Sequence, residues 1–242
     1  LIIGVPVGFV NVVEAKELLG GGDKIILTGA PVRGEILAAD RVKAREKFGL
    51  TDDDQLVVSF WGSMGAKYMN EHMAGELALE CKNGVSYHHV HATGAAAREW
   101  LPRMAKEQGA DFDAHPNIEV TEYIYDMADR MAAADLIVCR AGAATLGELC
   151  MLGRPALLVP SPYVAENHQE KNARALEKEG GCRVLLEKDA NPQVLYDEIQ
   201  NLLSDRDRLH RMGHDATKLA AHDASEKIYQ EILWAIENHG KK

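Results

Sequence analysis

Short apolar runs recur along this chain, each separated from the next by a segment with a helical pattern, and this alternation constrains the fold most strongly. Residues 55–60, 118–121 and 156–160 are typical runs. Continuous apolar runs are typical of strands buried on both faces of a sheet, and a helix between two parallel strands gives a right-handed βαβ unit. We therefore predict an α/β fold, a parallel sheet with helices on both faces.

The same patterns, together with glycine and proline breaks, predict the individual elements. Strands are predicted at residues 25–28, 55–60, 85–92, 118–121, 135–139, 156–160 and 183–186. Helices are predicted at residues 41–48, 67–80, 95–108, 125–134, 143–153, 168–179, 192–203, 206–221 and 225–238. Ligands of such sheets bind at the carboxyl ends of the strands, so the loops after the predicted strands are the candidate functional segments.

Residues 135–148 combine a strand, a turn of small residues and a helix start. The first N–H groups of a helix lack partners and carry partial positive charge, which favours an anion. The small residues 141–144 let a diphosphate approach the backbone, and Glu148, about one and a half turns into the helix, can accept hydrogen bonds from a sugar diol. The segment predicts a nucleotide-diphosphate ligand; a plain strand–helix junction with a solvated carboxylate is the alternative.

Three further segments carry polar or glycine-rich patterns. The loop 61–66 can cradle a phosphate or an acceptor, or it is an ordinary tight turn. In 165–173, His168 and Gln169 can hydrogen-bond sugar hydroxyls, or the segment is a solvated helix start capped by Asn167. Arg33 can pair with an anion or form a surface ion pair.

The composition limits the possible partners. A formal net charge of −10 over 242 residues argues against nucleic-acid binding. No apolar run approaches the roughly 20 residues that span a bilayer. The four cysteines include no Cys-x-x-Cys pair, which predicts reduced thiols and a cytoplasmic protein.

Three histidines lie close together on a predicted strand. His89 and His91 share one face of that strand, and His88 points away. No carboxylate or cysteine is patterned with them, so the sequence favours a sheet-packing or surface role over a metal site. We predict no metal.

Five motifs, in this order, resemble the MurG family of N-acetylglucosaminyltransferases. They are TGAPVR at 28–33, WGSMGA at 61–66, EYIYDM at 122–127, CRAGAATLGE at 139–148 and AENHQEKNA at 165–173. The resemblance covers about residues 24–238 and implies the GT-B architecture of two Rossmann-like domains, of which this chain is mainly the C-terminal one. We expect residues 1–23 to be a remnant of the N-terminal acceptor domain and linker, 24–224 the UDP-sugar-binding domain, and 225–242 a C-terminal helix and tail.

The resemblance implies a role for each site residue. Arg33 and Ser63 would approach the diphosphate or sugar, and Ile124 would contact uracil through its backbone. The remaining roles are phosphate binding by Ala143, Ala144 and Thr145, ribose binding by Glu148, and N-acetylglucosamine binding by His168 and Gln169 with support from Asn172.

The resemblance also implies an activity in peptidoglycan synthesis and cell-wall biogenesis. The family transfers N-acetylglucosamine, with inversion, from UDP-N-acetylglucosamine to an undecaprenyl-diphospho-muramoyl-pentapeptide, without a metal or other cofactor, as a peripheral enzyme on the cytoplasmic face of the membrane. The family motif H-x-x-G-G-x-x-G-H, with its proposed catalytic histidine, does not occur here. We therefore assign no catalytic residue and expect the chain alone to be inactive, with acceptor contacts on the N-terminal domain.

One departure from the family pattern and two alternative functions remain. Trp61 stands where the family usually has glycine, and its indole would alter the acceptor side or pack against the other domain. Another UDP-sugar glycolipid transferase of the same superfamily is one alternative function. A UDP-sugar-binding module that needs a partner chain is the other.

Overall fold

One parallel sheet organises the described part of the chain. The computed structural model describes residues 29–62 and 65–239. The strands of this part are β1 (Leu56–Phe60), β2 (His88–Ala92), β3 (Ile118–Thr121), β4 (Leu136–Cys139), β5 (Ala156–Leu158) and β6 (Cys182–Val184). Their order across the sheet is β3-β2-β1-β4-β5-β6, and every neighbouring pair is parallel.

Helices connect the strands and cover the sheet. They are α1 (Gly34–Ala38), α2 (Arg41–Lys47), α3 (Lys67–Asn83), α4 (Trp100–Glu107), α5 (Met127–Ala133), α6 (Ala143–Leu152), α7 (His168–Lys178), α8 (Pro192–Leu203), α9 (Arg206–Ala216) and α10 (Ala224–His239). Short 3₁₀ turns lie at Ala165–Asn167, Glu187–Asp189 and Thr217–Leu219.

The strand order reverses between β1 and β4. The chain builds β1, β2 and β3 outward in one direction, then returns to place β4 on the other side of β1. A crevice opens at the carboxyl ends of the two strands that flank such a switch point, and ligands of doubly wound sheets bind there. The loops after β1 and β4 are therefore the ones best placed to form a site.

The hydrophobic core lies on both faces of the sheet. Along β1, Val57 packs against the α3, α4 and α8 side, while Leu56 and Val58 pack against the α5, α6 and α7 side. This alternation follows from the two-residue period of a strand. The predicted Rossmann-like parallel sheet with helices on both faces is confirmed.

Several element boundaries differ from the prediction. The helix predicted at 95–108 begins only at Trp100, because Gly94 has a positive φ of 73° and the following residues form turns. The helix predicted at 206–221 ends at Ala216 and continues as a 3₁₀ turn. The prediction missed α1, since five residues are too few to show a helical period. The predicted strand 25–28 and segment 1–23 lie outside the described residues.

No helix in residues 29–62 and 65–239 combines the length and the apolar character that crossing a bilayer requires.

The four cysteine thiols are buried and unpaired. Burial raises the pKa of Cys150 to about 12 and also raises the pKa of Cys139 and Cys182. Because the thiolate is the reactive form, we expect no rapid reaction of the folded protein with a disulfide reagent at pH 8, and reaction of all four thiols in denaturant. Rapid labelling of any thiol before unfolding would contradict this packing.

Candidate functional site

The start of α6 is open. Gly142 precedes the helix in an extended conformation (φ −69°, ψ 143°), and as a glycine it has no side chain with which to cap the helix. The first backbone bond of the helix runs from the Leu146 N–H to the Gly142 carbonyl at 3.0 Å. The N–H groups of the three preceding residues therefore face outward at the positive end of the helix dipole.

The residues around this helix start leave space for a ligand. Ala144 is exposed, whereas the helix is buried from Leu146 to Cys150. A Cβ atom built on Gly142 would meet nothing within 4 Å. The arrangement is a buried helix that presents its N-terminus to open space beside the switch point.

A tight turn bounded by Gly62 and Gly65, the glycine turn, follows β1, the strand next to β4 in the sheet. Gly62 and Gly65 follow β1 with positive φ angles of 88° and 71°, and the Gly65 N–H donates to the Gly62 carbonyl at 3.0 Å. A Cβ on Gly65 would lie 2.6 Å from the Thr93 carbonyl oxygen, so only glycine fits. Ser63, which we predicted to contact the diphosphate or sugar, lies outside the described residues.

Arg33 and Glu148 form a bidentate ion pair. Arg33 Nε donates to Glu148 Oε1 at 2.7 Å, and Arg33 Nη2 donates to Oε2 at 3.1 Å. This hydrogen bond raises the pKa of the Arg33 guanidinium. The Glu148 side chain is 11% exposed and that of Arg33 53%. A carboxylate has about four lone-pair positions, so the pair leaves Glu148 able to accept from a ligand while fixing its orientation.

The loop after β5 is held to its neighbours by amide side chains. The Ser161 N–H donates to Gln169 Oε1 at 2.9 Å, which leaves the Gln169 amide group as a donor. His168 Nδ1 is 2.9 Å from the Ala165 carbonyl, and a proton on Nδ1 would make Nε2 an acceptor. Asn172 is buried, and its Nδ2 donates to the Ala141 carbonyl at 3.3 Å.

The backbone before α7 adopts an unusual conformation. Glu166 and Asn167 have φ angles of 54° and 50°, in the left-handed region that non-glycine residues rarely occupy. The alternative in which Asn167 caps α7 is wrong, since its side chain makes no cap hydrogen bond and Nδ2 donates instead to Glu170 at 2.6 Å. Strained loop residues of this kind cluster at ligand clamps.

Ile124 lies on the loop after the edge strand β3. Its side chain is buried in the core, so a contact between Ile124 and a ligand would have to come from its backbone. A cavity of about 480 Å³ opens beside this loop, lined in part by Tyr123 and by Tyr125, which is 93% exposed. The two tyrosine rings lie 5.6 Å apart. Helix α5, which follows the loop, packs on α6.

Trp61 packs inside its own domain. Its indole is 3% exposed and belongs to the core beneath α3, so the expectation that it packs against another domain is wrong. The Arg140 guanidinium lies 5.8 Å from the centre of the ring. Arg140 also donates to the Val159 carbonyl at 3.1 Å and pairs with Glu187. Sequence reasoning missed this residue, which ties the turn before α6 to the loops after β5 and β6.

Comparison with known proteins identifies the family. A sequence model of the glycosyltransferase family 28 C-terminal domain matches residues 56–228. The chain belongs to this family. The match begins at β1 and ends within α10, so it includes the open helix start, the glycine turn and the loop before α7.

Relatives of this family 28 chain are named transferases. It is 44% identical over 225 residues to the UDP-N-acetylglucosamine–N-acetylmuramyl-(pentapeptide) pyrophosphoryl-undecaprenol N-acetylglucosamine transferase of Acetivibrio thermocellus, covering 93% of this chain and 59% of the relative. A protein of the same name from Ruminiclostridium cellulolyticum is 37% identical over 219 residues, covering 90% of this chain and 59% of the relative. The chain thus spans about three fifths of the length of these relatives.

Solved structures agree with this family and with the GT-B fold. Acinetobacter baumannii MurG superimposes with a TM-score of 0.68 at 28% identity, covering 88% of this chain and 56% of that one. WaaG, a glycosyltransferase of lipopolysaccharide biosynthesis, superimposes with a TM-score of 0.61 at 15% identity, covering 84% of this chain and 55% of that one. The second likeness concerns the fold alone.

Proposed function

We propose that this chain is the donor-binding part of a family 28 transferase that moves N-acetylglucosamine from UDP-N-acetylglucosamine to the lipid-linked muramoyl-pentapeptide. The observation that carries the proposal is the open N-terminus of α6, with Glu148 just inside the same helix and oriented by Arg33. In UDP a diphosphate is joined to a ribose. The positive end of the helix dipole suits the diphosphate, and the neighbouring carboxylate suits the ribose hydroxyls.

The diphosphate binds at the helix start. The N–H groups of Ala143, Ala144 and Thr145 donate to phosphate oxygens, and Arg33 approaches from the other side with the guanidinium hydrogens that its pair with Glu148 leaves unused. Negative charge grows on UDP as the bond to the sugar breaks. Fixed N–H dipoles aimed at that charge stabilise the transition state electrostatically, which is the role a metal ion plays in some other transferases.

The nucleoside lies along α6 and the loop after β3. Glu148 accepts hydrogen bonds from the ribose hydroxyls, because its position inside the helix places the carboxylate about one turn behind the phosphates. The backbone of Ile124 contacts uracil, and the ring of Tyr125, exposed beside it, offers a stacking surface.

The sugar binds between the glycine turn and the start of α7. The side-chain oxygen of Gln169 accepts from the Ser161 N–H, so its amide nitrogen is available to donate to a sugar hydroxyl. His168 binds a second hydroxyl. Asn172 positions both, because it joins α7 to the turn before α6. Ser63 contacts the diphosphate or sugar from the glycine turn.

The full reaction requires the acceptor domain of the complete protein. A base there deprotonates the muramoyl 4-hydroxyl, which attacks the anomeric carbon with inversion, and domain closure aligns the two reactants.

Residues 24–224 form the donor domain, and 225–242 the C-terminal helix and tail. In α10, Trp234 and Ile236 are more than half exposed and would face the acceptor domain. The complete enzyme works at the cytoplasmic face of the membrane.

Calorimetric titration of the chain with UDP-N-acetylglucosamine and with UDP-galactose tests this function. We expect both to bind through UDP, with UDP-N-acetylglucosamine the tighter of the two. No binding of either ligand would refute the donor-site assignment. Equal binding would refute the assignment of His168 and Gln169 to the sugar of this donor.

The variant Gln169→Glu tests the sugar contact separately from the nucleotide. Glutamate retains the oxygen that accepts from Ser161 but lacks the amide donor, so the loop keeps its anchor. We expect affinity for UDP-N-acetylglucosamine to fall about 10-fold more than affinity for UDP, because the added negative charge acts on the diphosphate of both ligands whereas the lost hydrogen bond concerns the sugar alone. The exposed variant Gln193→Glu on α8 is the control. Equal loss for both ligands would contradict the assignment.

A further inference from the structure

A group of ionisable side chains is enclosed between α3 and the sheet, outside the proposed donor site. Glu76 and Glu80 lie one turn apart on α3, and His89 projects toward them from β2. All three side chains are fully buried, and their potential ligand atoms lie within 4.8 Å of one another. We call these three residues the Glu–His cluster. It corrects the prediction that no carboxylate accompanies the histidines.

Two members of the cluster are held by further hydrogen bonds. His89 Nδ1 lies 2.8 and 2.9 Å from the two Glu80 oxygens, and His89 Nε2 lies 2.7 Å from Ser59 Oγ. The Tyr87 hydroxyl donates to Glu80 Oε1 at 2.5 Å, and Gln200 donates in turn to that hydroxyl at 3.0 Å. The orientations of His89 and Glu80 are therefore fixed.

Glu76 has no such partner. Both of its carboxylate oxygens are buried, and neither accepts a hydrogen bond within the described part of the chain. One histidine therefore faces two carboxylates, and only Glu80 contacts it directly, so a bound cation would compensate the charge of Glu76. Burial and the nearby Glu80 raise the pKa of Glu76 well above its usual range. An unpaired carboxylate in such surroundings is strongly destabilising.

We propose that the Glu–His cluster binds one divalent transition-metal ion, such as zinc. Glu76, Glu80 and the Nδ1 atom of His89 supply two carboxylates and an imidazole, a donor set that suits zinc, manganese or iron. A metal on Nδ1 leaves a proton on Nε2, which donates to Ser59 Oγ. This is the usual hydrogen bond that orients a metal-bound histidine. Tyr87 orients Glu80 in the same way.

The ion is structural. The cluster is closed on all sides and has no exposed ligand through which a substrate could reach the metal. Binding is therefore coupled to folding, as in other enclosed metal centres. Its expected effect is on stability, and the donor site does not depend on it for chemistry.

Metal content and thermal unfolding of the full chain test the proposal. We expect about one zinc ion per purified chain, a midpoint lowered by several degrees after chelation, and recovery on adding zinc, since a ligand of the folded state stabilises it. Cobalt(II) in place of zinc would give visible absorption bands. Glu76→Gln should bind at least 100-fold more weakly, whereas Glu71→Gln, on the same helix and partly exposed, should behave as the wild type.

A proton on Glu76 is the competing occupant. In that case the wild type contains no metal, its midpoint does not respond to zinc or chelator, and Glu76→Gln is as stable as the wild type. That result would overturn the proposal. If Glu76→Gln fails to fold, the metal content of the wild type and the response of its unfolding midpoint to zinc and chelator still decide between a metal ion and a proton. Zinc bound equally by wild type and Glu76→Gln would also overturn it, because the ion would then lie elsewhere.

Discussion

Replacing Ala144 with aspartate will abolish measurable UDP binding while leaving the chain at least as stable as the wild type. Ala144 is exposed in the first turn of α6. A carboxylate at a helix start gains about 0.3–1 kcal/mol from the dipole. The same carboxylate about 5 Å from a bound phosphate costs about 3 kcal/mol per charge at an effective dielectric of about 20. Affinity should fall at least about 100-fold.

The variant Ala144→Asn separates charge from size. Asparagine has nearly the shape of aspartate and also suits a helix start, so any steric loss should appear in both variants. We expect calorimetry to show UDP affinity within about 10-fold of wild type for asparagine, a difference of about 1.4 kcal/mol. Thermal unfolding should show a raised midpoint for aspartate. Equal UDP affinity in the aspartate variant and the wild type would place the diphosphate elsewhere.

Replacing Glu148 with glutamine will remove the preference of the chain for UDP over 2′-deoxy-UDP. The carboxylate accepts from the ribose hydroxyls, and a hydrogen bond to a charged group contributes about 1.5–3 kcal/mol. We therefore expect UDP affinity to fall about 10- to 100-fold, with much smaller loss for the deoxy ligand. Titrating both ligands against wild type and variant gives the ratio directly.

The control for this substitution is Arg33→Gln. Both variants break the same bidentate pair, but only Glu148→Gln removes the carboxylate. Arg33→Gln should weaken UDP binding, because Arg33 approaches the diphosphate, yet it should retain the preference for the ribose form. If Glu148→Gln still preferred UDP to 2′-deoxy-UDP by the wild-type ratio, Glu148 would have no contact with the 2′-hydroxyl.

The sheet and the helix start at which we place the candidate site could be predicted from local patterns. Apolar runs such as residues 55–60 are long enough to identify buried strands, and small residues after the strand ending at Cys139 identify an open helix start. These signals lie within a few residues of one another, so periodicity and turn chemistry detect them. The strand order could not be predicted in this way, because the handedness of a βαβ unit fixes the face on which its helix lies and not which strands become neighbours.

Contacts between distant residues could not be predicted in this way. Arg33 and Glu148 are 115 positions apart. Considered alone, the sequence around each of them is typical of a charged residue on the solvated surface. Glu76 and Glu80 have the spacing of an exposed helix face, yet this face meets the buried side of β2. Only the packing of α3 on the sheet shows that His89 has carboxylate partners. Helices, strands and loops can be predicted from neighbouring residues, whereas the pairing of distant charged side chains depends on the tertiary structure.

A crystal structure of this chain with UDP tests the central claim most directly. We predict diphosphate oxygens within about 3 Å of the backbone nitrogens of Ala143, Ala144 or Thr145, with a ribose hydroxyl on the Glu148 carboxylate. A diphosphate bound away from the start of α6, or a ribose that does not contact Glu148, would contradict the account.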